Sequence, residues 1–177
     1  MKTKTLLLPM TLVMAALPAF AQTQAASTTM ANDLPPQDKE FVQAASMSGS
    51  TEIDAAKLAT KQSQDKDVQN FAHHMMADHT KLTLELKMAA PHGVAVPKDN
   101  SDATVLDSLK GLKGKEFDNA YIKSVGVEGH RKAVEAFQKE AESGQNADLK
   151  KAAGKALPTI QEHLKMAQAL AAKKGVQ

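Results

Sequence analysis

The stretch Val68 to Ala90, VQNFAHHMMADHTKLTLELKMAA, constrains the fold more than any other part of the chain. At about 100° per residue, Val68, Phe71, Ala72, Met75, Leu82, Leu86 and Ala89 fall within one arc, as the buried face of a long amphipathic helix requires. His79 falls near the middle of that arc, whereas His73 and His74 fall outside it. A helix that places an imidazole in its own apolar stripe must supply that imidazole with a partner in the interior.

Three further segments carry helical periodicity. The chain from Gln37 to Gln62 follows Pro35-Pro36 and carries Asp38 and Glu40 near its positive end. Phe41, Ala44, Ala45, Ser48, Ala55, Ala56 and Ala59 share one face of it, and Glu52 lies within that face. A third helix is predicted over Lys115 to Ser143 and a fourth over about Asn146 to Lys173, with a turn at Gly144-Gln145 between them. The fourth has an inner stripe of Leu149, Ala152, Ala153, Ala156, Ile160, Leu164, Ala167 and Leu170, with His163 inside the stripe and a kink expected at Pro158. Short turns make two antiparallel hairpins, and Pro91-His92-Gly93 opens a long crossover, 91–114, holding a short helix from Ser101 to Leu112 capped by Ser101. Two short-turn hairpins joined by one long crossover is the connectivity of a ferritin-like four-helix bundle, spanning 37–173 and wholly α-helical.

The N-terminus, residues 1–21, reads as a cleaved signal peptide: Lys2 and Lys4, an apolar run from Thr5 to Leu17, and Ala19-Phe20-Ala21 as a small-x-small cleavage site. Residues 22–36, rich in Ala, Thr, Ser, Gln and Pro, read as a disordered tether. The mature protein is therefore expected in the periplasm or outside the cell, with no transmembrane span. Cysteine is absent, which excludes lipoprotein acylation, disulfides and thiolate metal sites. Loss of the two leader lysines brings the 22 Lys and Arg level with the 20 Asp and Glu, so the basic balance belongs to the leader. Without Trp, and with a single Tyr, the chain offers neither a basic stripe nor a stacking platform for nucleic acid. There is no Gly-rich phosphate loop, no Gly-x-Ser-x-Gly and no Cys nucleophile.

The hairpins resemble each other. A glutamate follows Phe41 and Phe117 by eleven positions, giving Glu52 and Glu128, and Asp78-His79-Thr80-Lys81 corresponds to Glu162-His163-Leu164-Lys165. Interior Glu and His groups at comparable height are the material of a metal site in a bundle core. Glu52, His79, His130 and His163 are the candidate ligands, with Asp78, Glu128 and Met75 as further candidates. Glu52 and His79 differ in height by roughly 7 Å when counted from the hairpin turn. His130 follows Glu128 by two residues, so an ideal helix cannot turn both inward: either the inner face drifts, or Gly126 and Gly129 mark a bulge that changes the phase. Di-iron sites repeat Glu-x-x-His, whereas Met76 stands three before His79 and Ile160 three before His163. Imidazoles with a thioether suit copper or zinc better than iron. The alternative for each histidine is a core imidazole hydrogen-bonded to a carboxylate such as Glu52, with Met75 as core filler. His73, His74 and His92 read as solvated, the His73-His74 pair being at most a surface metal site.

The combination of Ser48-Gly49-x-x-Glu52-Ile53, Asp78-His79-Thr80-Lys81 and Leu157-Pro158-x-x-x-x-His163 resembles a bacterial domain of unknown function placed in the ferritin-like superfamily, whose members are often labelled outer membrane proteins. The resemblance runs from about Asp38 to Leu170. It implies an exported ferritin-like bundle without an assigned activity, and its pattern falls on Glu52, Asp78, His79, His130 and His163; the position before the third histidine, commonly acidic in the family, is Gly129 here. No run of alternating strand residues is present to build an outer-membrane barrel. The expected role is that of a soluble, non-catalytic bundle, stress-related or weakly metal-binding. The alternatives are a metal-dependent redox enzyme of ferritin-like type and a module that binds an envelope protein or a second copy of itself.

Overall fold

The computed structural model describes residues 34–176, so the expected signal peptide and nearly all of the expected tether lie outside it. The tether's boundary is corrected at its end: Leu34 is buried against the start of the bundle, because an apolar side chain there covers Phe41 and Val42. The helices are α1 (Pro36–Gln62), α2 (Lys66–Ala89), α3 (Ala103–Leu109), α4 (Gly114–Ala120), a π-helical segment (Tyr121–Gly129), α5 (His130–Ser143) and α6 (Ala147–Lys174). The α4, π and α5 segments follow one another without a break in right-handed helical backbone and form the third long helix.

Caps set the boundaries. Pro36 occupies the first turn of α1, where a missing N–H costs nothing. The Asp65 carboxylate accepts from Asp67 N and Val68 N to start α2, and the Asn146 side chain accepts from Asp148 N and Leu149 N to start α6. α6 ends at Gly175, whose φ of 67° is left-handed. The crossover helix is shorter than expected and its cap is corrected: Asp102 caps α3, while Ser101 donates to Asp54 Oδ2 at 2.8 Å. Gly111, at φ 91°, turns the chain before Leu112 can extend the helix. Pro158 is carried inside α6 on its exposed side.

Side-chain links between helix ends give the directions. The Asp38 carboxylate, at the start of α1, accepts from Gln145 N and Asn146 N in the turn after α5, so α1 and the third helix run antiparallel. Lys174, at the end of α6, donates to Asp67 at the start of α2, so α2 and α6 run antiparallel as well. α1 therefore rises, α2 and the third helix descend, and α6 rises. The crossover returns along α1, where Ser50 Oγ donates to Lys98 O and Asp102 N donates to Thr51 Oγ1.

The core is divided. One apolar cluster takes Ala55, Ala59, Val68, Phe71, Met75, Phe117, Tyr121, Val125 and Ala167. The other takes Phe41, Ala45, Leu86, Ala133, Phe137, Leu149, Ala153 and Ile160. On each long helix one buried polar residue stands at the junction: Glu52, His79, His130 and His163. Glu52, His79 and His163, which interrupt the apolar stripes of the sequence, are thus joined by His130 in one polar layer across the bundle.

Candidate metal centre

His79 comes from α2, His130 from the first position of α5, and His163 from α6; they are between 0% and 4% exposed. Their ring centroids form a nearly equilateral triangle of 5.4, 5.2 and 5.4 Å, and one nitrogen from each ring lies within 4.8 Å of the others.

The π segment is what turns His130 inward. In an uninterrupted α-helix running on from Phe117 and Tyr121, position 128 would face the core. One wider turn delays the phase, so that Val125, Gly126 and His130 are buried and Glu128 is exposed. Glu128 therefore does not share the surroundings of Glu52, its counterpart in the other hairpin: Glu52 is buried, whereas Glu128 is exposed and stands outside the three rings. Gly126 and Gly129 permit close approach: a Cβ at Gly126 would stand 3.2 Å from Ala167 Cβ, and one at Gly129 would stand 3.1 Å from Glu52 Oε1. The His130 backbone N–H bonds back to Val127 O, and Gly126 O, 2.8 Å from His130 Nδ1, receives the side-chain proton. A carbonyl only accepts, so Nδ1 carries the hydrogen and Nε2 keeps its lone pair.

That lone pair faces His79 Nε2 at 3.3 Å. Four-coordinate zinc, with Zn–N of about 2.0–2.1 Å, separates two ligand nitrogens by about 3.3–3.4 Å. Without an ion, a His79 Nε2 proton bridges the pair; an ion would take its place. His163 Nε2 lies 2.9 Å from Asp78 Oδ2 and donates to it, leaving the buried Nδ1 without any partner. The arrangement is that of ligand imidazoles oriented by an outer carbonyl and an outer carboxylate. Burial lowers the pKa of all three: His79 well below the usual value, His130 to about 4, and His163 below 6.5, with neighbouring imidazoles adding to the effect for His79 and His130. Neutral imidazoles are the form that binds metal.

The other sequence candidates take different places. Glu52 Oε1 lies 3.3 Å from His130 Nδ1, the nitrogen already turned away from the other rings, so Glu52 stands behind the triad rather than in it. Its Oε2 is buried without a partner, and burial raises its pKa well above the carboxylate range. It borders a cleft of about 300 Å³ between α1 and the third helix, lined also by Thr51, Ser124, Val125 and Lys132. Met75 is fully buried in the apolar cluster with Phe71 and Tyr121. Asp78 supports His163, and its corresponding residue Glu162 is instead exposed and paired with Lys165. The three histidines read as solvated, His73, His74 and His92, are all exposed; His74 Nε2 also lies 3.3 Å from Asp78 Oδ2 and, with Asp78 and His163, makes a second group with metal-ligand spacing. The i, i+4 spacing of His74 and Asp78 was the available signal for this contact.

The fold and this layer define an all-helical bundle with a buried three-histidine cluster. Residues 20–170 match the family described as "Domain of unknown function (DUF4142)", and the chain belongs to that family. No curated protein matches the sequence. Two solved structures share the fold. A DUF305 protein from Streptomyces coelicolor, whose description calls it secreted, has a TM-score of 0.65 at 16% identity, over 80% of this chain and 94% of its own. A DUF305 fragment from Deinococcus radiodurans has a TM-score of 0.64 at 13% identity, over 79% of this chain and 98% of its own. Among the described residues no helix is long and apolar enough to cross a membrane.

Proposed function

We propose that this protein is an exported bundle of ferritin-like type that holds one transition-metal ion, copper or zinc, at His79, His130 and His163. The observation that carries the reading is the convergence of three neutral, buried imidazoles, one of them with an unpartnered nitrogen, between two apolar clusters of the core. Up-down-down-up helices with a long crossover support the ferritin-like assignment, and the leader-like N-terminus and the secreted relative support export.

Binding rather than turnover fits the space at the site. The cavity that His79 lines, with Gly49, Thr83 and Ile160, measures about 20 Å³ and admits about one water. That cavity has no room for an organic substrate. Iron of the di-iron kind is disfavoured because Glu52 stands behind His130 instead of bridging, and imidazole donors alone suit copper or zinc.

The test is titration of chelator-treated protein with Zn²⁺ and with Cu⁺. One equivalent should bind tightly to the native chain, and a His130→Ala variant that keeps its helical circular dichroism should lose that binding. Equal binding by the variant would refute the assignment.

A further inference from the structure

The buried triad leaves a question that the second histidine group answers. All three rings are sealed from solvent, yet an ion must reach them. Resting on the metal-binding reading above, we infer that His74, Asp78 and His163 form an outer loading station from which an ion passes to the inner triad, with His163 common to both.

Several features converge on this route. His74 is 53% exposed and Asp78 34%, whereas His163 is 1% exposed, so the group spans the step from solvent to core. The three offer Nε2, Oδ2 and Nε2 at 3.3 and 2.9 Å, and one ligand atom from each lies within 4.8 Å of the others. His163 touches Asp78 through Nε2, while its Nδ1 is buried and unpartnered. One ring thus has a nitrogen committed to the outer group and a second with nothing yet to bind. Its centroid is 5.7 Å from that of His74 on one side and 5.2 Å from that of His79 on the other. His74 also lines an open depression between α2 and α6, with Asn70, Phe71, Met166 and Leu170, through which a hydrated ion can approach. An ion held by His74, Asp78 and His163 Nε2 would move the ring proton of His163 to Nδ1 and shed part of its water; on passing inward it would take Nδ1 as that proton returns to Nε2, where it faces Asp78 again.

Stopped-flow absorbance with Co²⁺ alone, on the chelator-treated full chain, tests the route. His74→Ala removes the exposed ligand and leaves the inner three in place. Loading at least tenfold slower than in the native chain, with one Co²⁺ still bound at equilibrium, is the expected result. Loading at the native rate would overturn the station while leaving the triad intact. Loss of the bound Co²⁺ in His74→Ala would make His74 a resident ligand and overturn the transfer role. A native chain that binds no Co²⁺, Zn²⁺ or Cu⁺ would refute the metal centre itself, and this inference with it. His79→Ala separates the two roles: it should abolish stoichiometric inner binding, and the weak, fast-exchanging Co²⁺ signal left at the outer group should vanish when His74→Ala is added.

Discussion

Glu140 is a carboxyl enclosed without a partner, and its ionisation should be visible in the stability of the bundle. It is 1% exposed near the end of α5, neither carboxyl oxygen has a hydrogen-bond partner, and burial, followed by the charge of Asp38, raises its pKa from 4.5 to about 7. A carboxyl with a raised folded-state pKa keeps its proton in the folded protein after the unfolded chain has released it. Its stabilising effect is therefore complete below about pH 4.5 and is lost as pH rises through about 7. At about 1.4 kcal/mol per pH unit, the full displacement corresponds to up to about 3 kcal/mol. Glu140→Gln retains the shape but cannot ionise. Urea unfolding of metal-free native and variant proteins at pH 5 and pH 8 measures the effect. The variant should gain on the native protein by about 2.5 kcal/mol between the two pH values, part of the effect being already lost at pH 5. The histidines lie about ten residues away along the helix, roughly 15 Å, and should cancel in the comparison. An identical native-to-variant difference at both pH values would refute the burial argument.

The remaining predictions concern the turn, the histidines and the fourth helix. Gly144→Ala places a Cβ 2.6 Å from Glu140 O and 2.5 Å from its Oε1, although φ of −56° is open to any residue; denaturant unfolding should show a loss of about 1–3 kcal/mol. His79, His130 and His163 have depressed pKa values, so the unfolded chain takes up protons that the folded one refuses. Metal-free stability should therefore contain a component that falls as pH drops from 6.5 through about 4, and His130→Gln should flatten it in a urea-midpoint series. Pro158→Ala restores a backbone donor on the exposed side of α6 and should raise stability by about 1–3 kcal/mol in calorimetry, because interior proline costs about 3 kcal/mol relative to alanine.

Much of this architecture was legible because helical periodicity and apolar burial are the same fact seen twice. Phe71, Met75, His79 and Leu86 lie on one arc of the sequence and are buried together in α2. Leu149, Ala153, Ile160, His163 and Ala167 do the same in α6. The third helix was harder, because one extra residue in a π turn reverses which of Glu128 and His130 faces inward. The two glycines signal a change of phase, but residue spacing alone does not say that the change occurs, or in which direction. Glu52 was correctly placed inside but not beside His79, since equal height on two helices does not say which ring nitrogen a carboxylate meets. The exposure of His74 was legible, but its contact with Asp78 and His163 and the enclosure of Glu140 beside Asp38 depend on tertiary packing.

The most direct test of the metal centre is a crystal structure of the chelated protein reloaded with one equivalent of Zn²⁺, with data collected above and below the zinc absorption edge. A single anomalous peak about 2.0–2.1 Å from nitrogens of His79, His130 and His163 is the predicted result. A peak only at the exposed His73, His74 or His92, or none at all, would contradict the account and return the three rings to the bundle core.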